Sequence, residues 1–137
     1  MQIIGGVTSD HWMCLYYDGK TLSIFDSIHK GNIKLYGEQE KRYIQKRYKG
    51  IDFNKIVLVP VTTQTDGKSC GAYAAAFATE VAMGNNPALK NFSKSPLKMR
   101  KHFAEIIRTG ILVPFPEEKD DNKQQEMYPE LDIYLSN

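Results

Sequence analysis

Four side chains in the first half of the chain have the chemical types that a thiol hydrolase needs. In chain order they are His11, Asp26, Gln64 and Cys70. Cysteine supplies a nucleophile, histidine removes its proton, and aspartate orients the histidine. A glutamine side chain can donate a hydrogen bond to an oxyanion that develops on the substrate. Together they predict covalent catalysis by Cys70, whereas an isolated cysteine is more often a small buried residue.

A predicted β-hairpin places two of these side chains next to each other. Residues 11–17 and 21–28 are predicted strands, and Asp18-Gly19 between them is typical of a two-residue turn. Counting outward from that turn, His11 faces Asp26, with Cβ atoms roughly 5 Å apart. The alternative interpretation is an ordinary polar pair at the end of a sheet. The same register lines up an apolar side of the hairpin: Met13, Leu15, Leu22 and Ile24.

Cys70 begins a predicted helix over residues 70–83. The segment is rich in alanine and is followed by Gly84 and, three residues later, a proline, which together indicate a helix end. Its only charged residue is Glu80, so we expect most of its surface to be buried. At the start of a helix, the macrodipole and unpaired N–H groups favour a thiolate and can bind an oxyanion. Gly71 would let a substrate backbone approach the thiol closely.

These residues resemble those of a known protease family. His11-Trp12, Asp26-Ser27, Gln64 and Cys70-Gly71 are similar to the papain-like cysteine proteases that process ubiquitin-like proteins, the SUMO and NEDD8 proteases. The adenoviral protease belongs to the same clan. The resemblance runs from Gln2 to about Met83.

The resemblance implies a role for each site residue. Cys70 would be the nucleophile, His11 the base, Asp26 the orienting acid and Gln64 the oxyanion-hole side chain. Trp12 would pack beside the catalytic histidine and, with Gly71, bind substrate. The implied fold is a papain-like α+β domain of the ubiquitin-like-protease type. It has a central mixed sheet and a buried helix that opens at the catalytic cysteine.

The chain departs from the family pattern in two places. Many members carry aspartate just before the cysteine, and this chain has Ser69. Family domains usually also have strands and helices before the histidine strand, and only ten residues precede His11. We therefore expect the N-terminal part of the usual domain to be missing, so that the apolar side of the hairpin lacks part of its packing. Weak turnover and self-association would follow.

The remaining elements fit one α+β domain. We predict strands over residues 2–7 and 55–62 and helices over 34–48 and 97–109, the last preceded by Ser95-Pro96 as N-cap and first-turn proline. Pro60 places the 55–62 strand at an edge or a bulge. The protease domain is assigned to residues 1–116. Residues 117–137 form an acidic, partly disordered tail with seven acidic residues and two lysines.

Length, composition and cysteine content indicate the broad class of protein to which the chain belongs. The 137 residues, 42% of them hydrophobic, suffice for one core. No signal peptide or membrane span is expected. The two cysteines are expected to be free thiols in a reducing compartment, hence an intracellular location, nucleus or cytoplasm. No histidine and cysteine cluster has metal-ligand spacing, so neither a metal nor a cofactor is expected.

The sequence thus predicts a thiol protease that hydrolyses peptide or isopeptide bonds through an acyl-thioester on Cys70. The resemblance makes a ubiquitin-like protein or a polyprotein the expected substrate. Two alternatives stay open: an acyltransferase on the same scaffold, and a catalytically weak, truncated module that binds ubiquitin-like proteins.

The basic residues of the 34–48 helix are interpreted as a solvated helix face, and nucleic-acid binding is not expected.

Overall fold

The computed structural model of the chain describes residues 2–5, 11–28 and 37–118. This part of the chain forms an α+β fold with a mixed sheet. The strands are β1 (Gln2–Gly5), β2 (Trp12–Tyr17), β3 (Leu22–Phe25) and β4 (Ile56–Val59); the helices are α1 (Glu38–Arg47), α2 (Cys70–Ala82) and α3 (Pro96–Thr109). Each predicted element is present, and β2, β3 and β4 are shorter than predicted. Residues 6–7 of the predicted 2–7 strand and residues 34–36 of the predicted 34–48 helix lie outside the described residues. Among the described residues, no helix has the length and apolar character needed to cross a lipid bilayer.

The sheet has four strands in the order β1-β2-β3-β4. The first three strands pair antiparallel, and β4 pairs parallel to β3. A parallel pair needs a crossover connection, and α1 lies within the segment that joins β3 to β4. Pro60 follows β4 directly at the edge of the described sheet, as predicted, because proline cannot donate a hydrogen bond to a ladder.

The hairpin register differs from the prediction by two residues. Tyr17 pairs with Leu22 instead of with Lys20, so the connecting loop has four residues instead of two. The Asp18 side chain stabilises this longer loop. Its Oδ1 accepts hydrogen bonds from the backbone N–H groups of Lys20 (2.8 Å) and Thr21 (2.7 Å), which holds the loop open.

A helix layer covers each face of the sheet. α2 packs on one face, in a core that includes Cys14, Phe25, Tyr73 and Phe77. On the opposite face, Ile44 of α1 and the following Tyr48 pack against four hairpin residues that are almost completely buried: Met13, Leu15, Leu22 and Ile24. The expectation that this side of the hairpin lacks packing was therefore wrong, because α1 covers it. Several exposed apolar side chains lie near and after the end of α3: Ile107, Ile111, Leu112 and Val113.

α2 is the buried helix that its alanine-rich sequence predicts. Nine of its residues are buried, including its one charged residue, Glu80. The carboxylate of Glu80 accepts a hydrogen bond from Asn85 Nδ2 at 3.0 Å. Gly84 follows with a positive φ of 80°, which ends the helix at the predicted place because glycine adopts this conformation without a Cβ penalty.

α3 has both predicted caps. Ser95 Oγ accepts a hydrogen bond from the Lys98 N–H at 3.3 Å, Pro96 occupies the first turn, and Gly110 ends the helix with a φ of 70°. After it the chain returns to the domain. Phe115 is buried, and Glu117 pairs with Phe92 in an isolated β-bridge. The predicted tail lies outside the described residues from position 119 onward.

Candidate active site

His11 and Asp26 form a short hydrogen-bonded pair at one end of the sheet. His11 Nε2 lies 2.6 Å from Asp26 Oδ1. The Asp26 side chain is 1% exposed, and its Oδ1 also accepts a hydrogen bond from the Ile28 N–H at 2.9 Å. His11 Nδ1 is buried and has no hydrogen-bond partner among the described residues. Asp26 therefore fixes one ring nitrogen and leaves the other able to exchange a proton with a third group.

The pair forms even though the predicted register was wrong. Side chains alternate between the two faces of a sheet, so a shift of one residue would have moved His11 and Asp26 to opposite faces. The observed shift is two residues, which keeps both on the same face. They become diagonal neighbours, still within reach of long side chains.

Cys70 begins α2 at the same end of the sheet. It is 4% exposed. Trp12, the residue after His11, contacts the first turn of α2: a Cβ added to Gly71 would lie 3.9 Å from the indole. The first helical hydrogen bond runs from the Tyr73 N–H to the Ser69 carbonyl, so the N–H groups of Gly71 and Ala72 precede the helical ladder. Such N–H groups are suited to binding an anion.

Gln64 is tied to the residue that follows Asp26. Its backbone N–H donates to the Ser27 carbonyl at 2.9 Å, and its side-chain oxygen accepts a hydrogen bond from Ser27 Oγ. Gln64 Nε2 donates to the Asp66 carbonyl at 2.6 Å. A primary amide carries two N–H groups, so one hydrogen remains for another acceptor. The structure thus connects Gln64 to the Asp26 turn through its backbone and holds the side-chain amide with two hydrogen bonds.

Ser69, the residue before Cys70, is buried beside the carboxylate of Asp66. It is 1% exposed, and its Oγ donates to Asp66 Oδ2 at 2.8 Å. This bond closes the turn that leads into α2. Asp66, four residues before Cys70, is thus tied to the residue that directly precedes the thiol.

A groove of about 470 Å³ lies beside Cys70 and Gly71. Its other lining residues come from four parts of the chain: Trp12 from β2, Gly67 and Lys68 from the loop before α2, Ala72 from α2, and Arg100 and Phe103 from α3. Trp12 is 44% exposed, unusual for a residue of its size. An exposed aromatic ring beside a buried thiol gives the groove an apolar wall on which an extended chain can pack.

Cys14 lies in a different environment from Cys70. It is completely buried in the core between the sheet and α2, and burial raises the pKa of its thiol to about 12. Both cysteines are free thiols, as predicted. Cys14 is thus a core residue, and Cys70 is the cysteine that lines a groove.

The site contains residues that the sequence did not single out. Lys68, Arg100 and Phe103 line the groove, and no local motif marks them. Arg100 and Phe103 are three positions apart in α3, a spacing that puts two side chains on one side of a helix. In the described part of the chain, no group of three or more His, Cys, Asp or Glu side chains could hold a metal ion.

No protein-family model, curated protein or solved structure matches this chain. Its function is therefore inferred from the site residues and their geometry.

Proposed function

We propose that the protein is a cysteine peptidase that hydrolyses peptide or isopeptide bonds after a small residue, in substrates such as the C-terminal tails of ubiquitin-like modifiers. Cys70 is the nucleophile, His11 is the general base and acid, and Asp26 orients and stabilises the imidazolium. The proposal is supported by residue types, by their positions at one end of the sheet, and by the groove beside Cys70.

The reaction has two steps. In the first, His11 Nδ1 accepts the Cys70 proton, Sγ attacks the substrate carbonyl carbon, and the proton then passes from the imidazolium to the leaving amine. In the second, His11 accepts a proton from water, the hydroxide attacks the thioester carbonyl, and the Cys70 thiol is regenerated as the carboxylic acid leaves. Asp26 stays ionised throughout, because its role is to hold Nε2–H and to stabilise the positive ring.

The oxyanion of each tetrahedral intermediate needs preorganised donors. The remaining Gln64 N–H and the backbone N–H groups at the start of α2 are of the right type. The hydrogen bonds of Gln64 to Ser27 and Asp66 restrict the motion of its amide, so little reorganisation is needed when the charge develops.

One observation carries the proposal: the 2.6 Å hydrogen bond between His11 Nε2 and Asp26 Oδ1, which leaves the buried Nδ1 unpaired among the described residues. An unpaired buried ring nitrogen costs free energy in the folded protein. A buried polar group without a partner requires an explanation, and a catalytic role is one such explanation.

The proposal is tested with vinyl-sulfone probes built on SUMO, NEDD8 and ubiquitin. We expect covalent labelling by at least one probe, mapped to Cys70 by peptide mass spectrometry. Cys70→Ala and His11→Ala should abolish labelling, whereas Cys14→Ala, the matched control in the core, should retain it. Hydrolysis of a C-terminal fusion to the modifier that reacts then measures turnover.

Two other outcomes would contradict the proposal. Acetyl transfer from acetyl-CoA through Cys70, without hydrolysis of any fusion, would indicate an acyltransferase. Binding of a modifier with no labelling of Cys70 would indicate a non-catalytic module.

A further inference from the structure

The groove beside Cys70 is lined by two basic side chains. Lys68 lies two residues before the thiol in sequence, and Arg100 reaches the groove from α3. They come from separate elements, so their shared location is a result of the fold and not of a basic run in the sequence. Both residues are exposed.

Neither basic side chain is neutralised within the described part of the chain. The ion pairs of this region involve other residues, and no hydrogen bond engages the Lys68 amine or the Arg100 guanidinium. No acidic residue lines the groove. The nearest acid in sequence, Asp66, directs its carboxylate to Ser69 Oγ.

We propose that Lys68 and Arg100 select substrates that carry an acidic side chain within about three residues of the bond attacked by Cys70, a distance of about 10 Å along an extended chain. This inference rests on the proposed function and names its substrate class. An aspartate or glutamate in the groove would supply the negative charge that the two cations lack, and the guanidinium can bind a carboxylate in a bidentate manner.

The expected preference is modest because both cations are exposed. Contacts of this kind are weakened by solvent and by salt, so we expect about a threefold to tenfold preference for an acidic residue over its amide analogue. The preference should fall as the ionic strength rises, since the Debye length shortens from about 10 Å at 0.1 M salt to about 3 Å at 1 M.

The first arm of the experiment uses internally quenched peptides with a central glycine. Asp or Asn is placed at each of the three positions on either side of the scissile bond, and kcat/KM is compared within each pair. We expect wild-type protein to prefer Asp at one or more positions. Lys68→Gln with Arg100→Gln should abolish the preference, and Lys68→Glu with Arg100→Glu should reverse it.

The second arm measures the groove's charge without any substrate. Iodoacetate and iodoacetamide differ in charge and react with thiols by the same displacement of iodide. We expect the ratio of their rate constants at Cys70 to fall about threefold when both cations are replaced by glutamine. The ratio is measured even if no peptide is cleaved.

A charge-matched control is available on α1. Arg42→Gln with Lys46→Gln removes the same number of charges from exposed positions of a helix that packs on the other face of the sheet. This control should leave both the Asp preference and the alkylation ratio unchanged.

The two arms of the experiment distinguish failure of the acidic specificity from failure of the peptidase proposal. Cleavage of Asp and Asn peptides at equal rates, or a preference that survives the double substitution, would overturn the acidic specificity and leave the peptidase intact. An alkylation ratio that is unchanged in the Lys68→Gln, Arg100→Gln variant would also overturn the acidic specificity. No peptide cleavage and no probe labelling would instead contradict the peptidase proposal.

Discussion

At the scale of single residues, comparing the alkylation rates of the two cysteines tests whether the Cys70 thiol is reactive. Burial raises the pKa of Cys14 to about 12, so at pH 7 only about one Cys14 side chain in 10⁵ is ionised. Cys70 lies at a helix start and lines a groove. We expect iodoacetamide at pH 7 to alkylate Cys70 at least about tenfold faster than Cys14, because the thiolate is the reacting form. Peptide mass spectrometry of the folded protein measures both rates, and equal rates would argue that Cys70 is an ordinary core cysteine.

Replacing Asp26 tests whether its main role is to orient the His11 ring or to stabilise the turn after β3. In Asp26→Asn the side-chain oxygen can still accept the Ile28 N–H bond, so the turn after β3 should persist. The neutral amide cannot stabilise an imidazolium and favours the wrong tautomer of His11. On the proposed mechanism we expect kcat/KM to fall by about 10²- to 10⁴-fold. A fluorogenic tail substrate gives the rate, and an unchanged unfolding temperature confirms the fold. A variant as active as wild type would remove Asp26 from the mechanism.

At the scale of elements, the loop between β2 and β3 depends on the charge of Asp18. Backbone hydrogen bonds from Thr21 and Lys20 hold the pKa of this carboxyl below its usual 3.8. A group whose pKa is lower in the folded state stabilises the protein above its unfolded pKa, and this contribution disappears as pH falls through the folded pKa. We expect Asp18→Asn to lower the unfolding temperature at about pH 6 and to make much less difference at about pH 2. Differential scanning calorimetry at both pH values measures this, and an equal difference at both would show that the charge is irrelevant.

Elements whose signals are local could be predicted well. The start of α3 at Ser95-Pro96, its end at Gly110 and the start of α2 at Cys70 all depend on residues within one helical turn of the boundary. The hairpin register could not be predicted this way. A side chain–backbone contact of Asp18 competes with the tight turn, and its outcome depends on three-dimensional geometry.

At the scale of the whole molecule, α1 packs on one face of the sheet through Ile44, its one buried residue. Ile44 is completely buried in a core shared with the hairpin. We expect Ile44→Ala to lower the free energy of unfolding by about 2–5 kcal/mol, through lost burial and the cavity left behind. Gln45→Ala, at an exposed position of the same helix, should change it by less than about 0.5 kcal/mol. Urea denaturation measures both, and similar values would mean that α1 does not contribute to the core.

The covering role of α1 could not be derived from the sequence. Its residues are mostly charged, and Ile44 is the one buried residue within its bounds. The pattern is typical of a surface helix and does not say which surface it covers. The parallel pairing of β4 with β3 is likewise a long-range contact without a local signal. Of the site, the His11–Asp26 pair and the start of α2 at Cys70 could be predicted, because side-chain alternation survives a two-residue register shift and the helix start has a local signal. Lys68 and Arg100 meet only through the packing of α3.

The position of Trp12 also makes the groove optically observable. It is the single tryptophan of the chain, its ring is 44% exposed, and it contacts the helix turn that carries Cys70. Excitation near 295 nm therefore reports almost entirely on this place. A peptide packed against the indole would exclude water from it and shift its emission to shorter wavelengths. Stopped-flow fluorescence of unlabelled protein would then resolve substrate docking from acylation, with Cys70→Ala showing the docking phase alone.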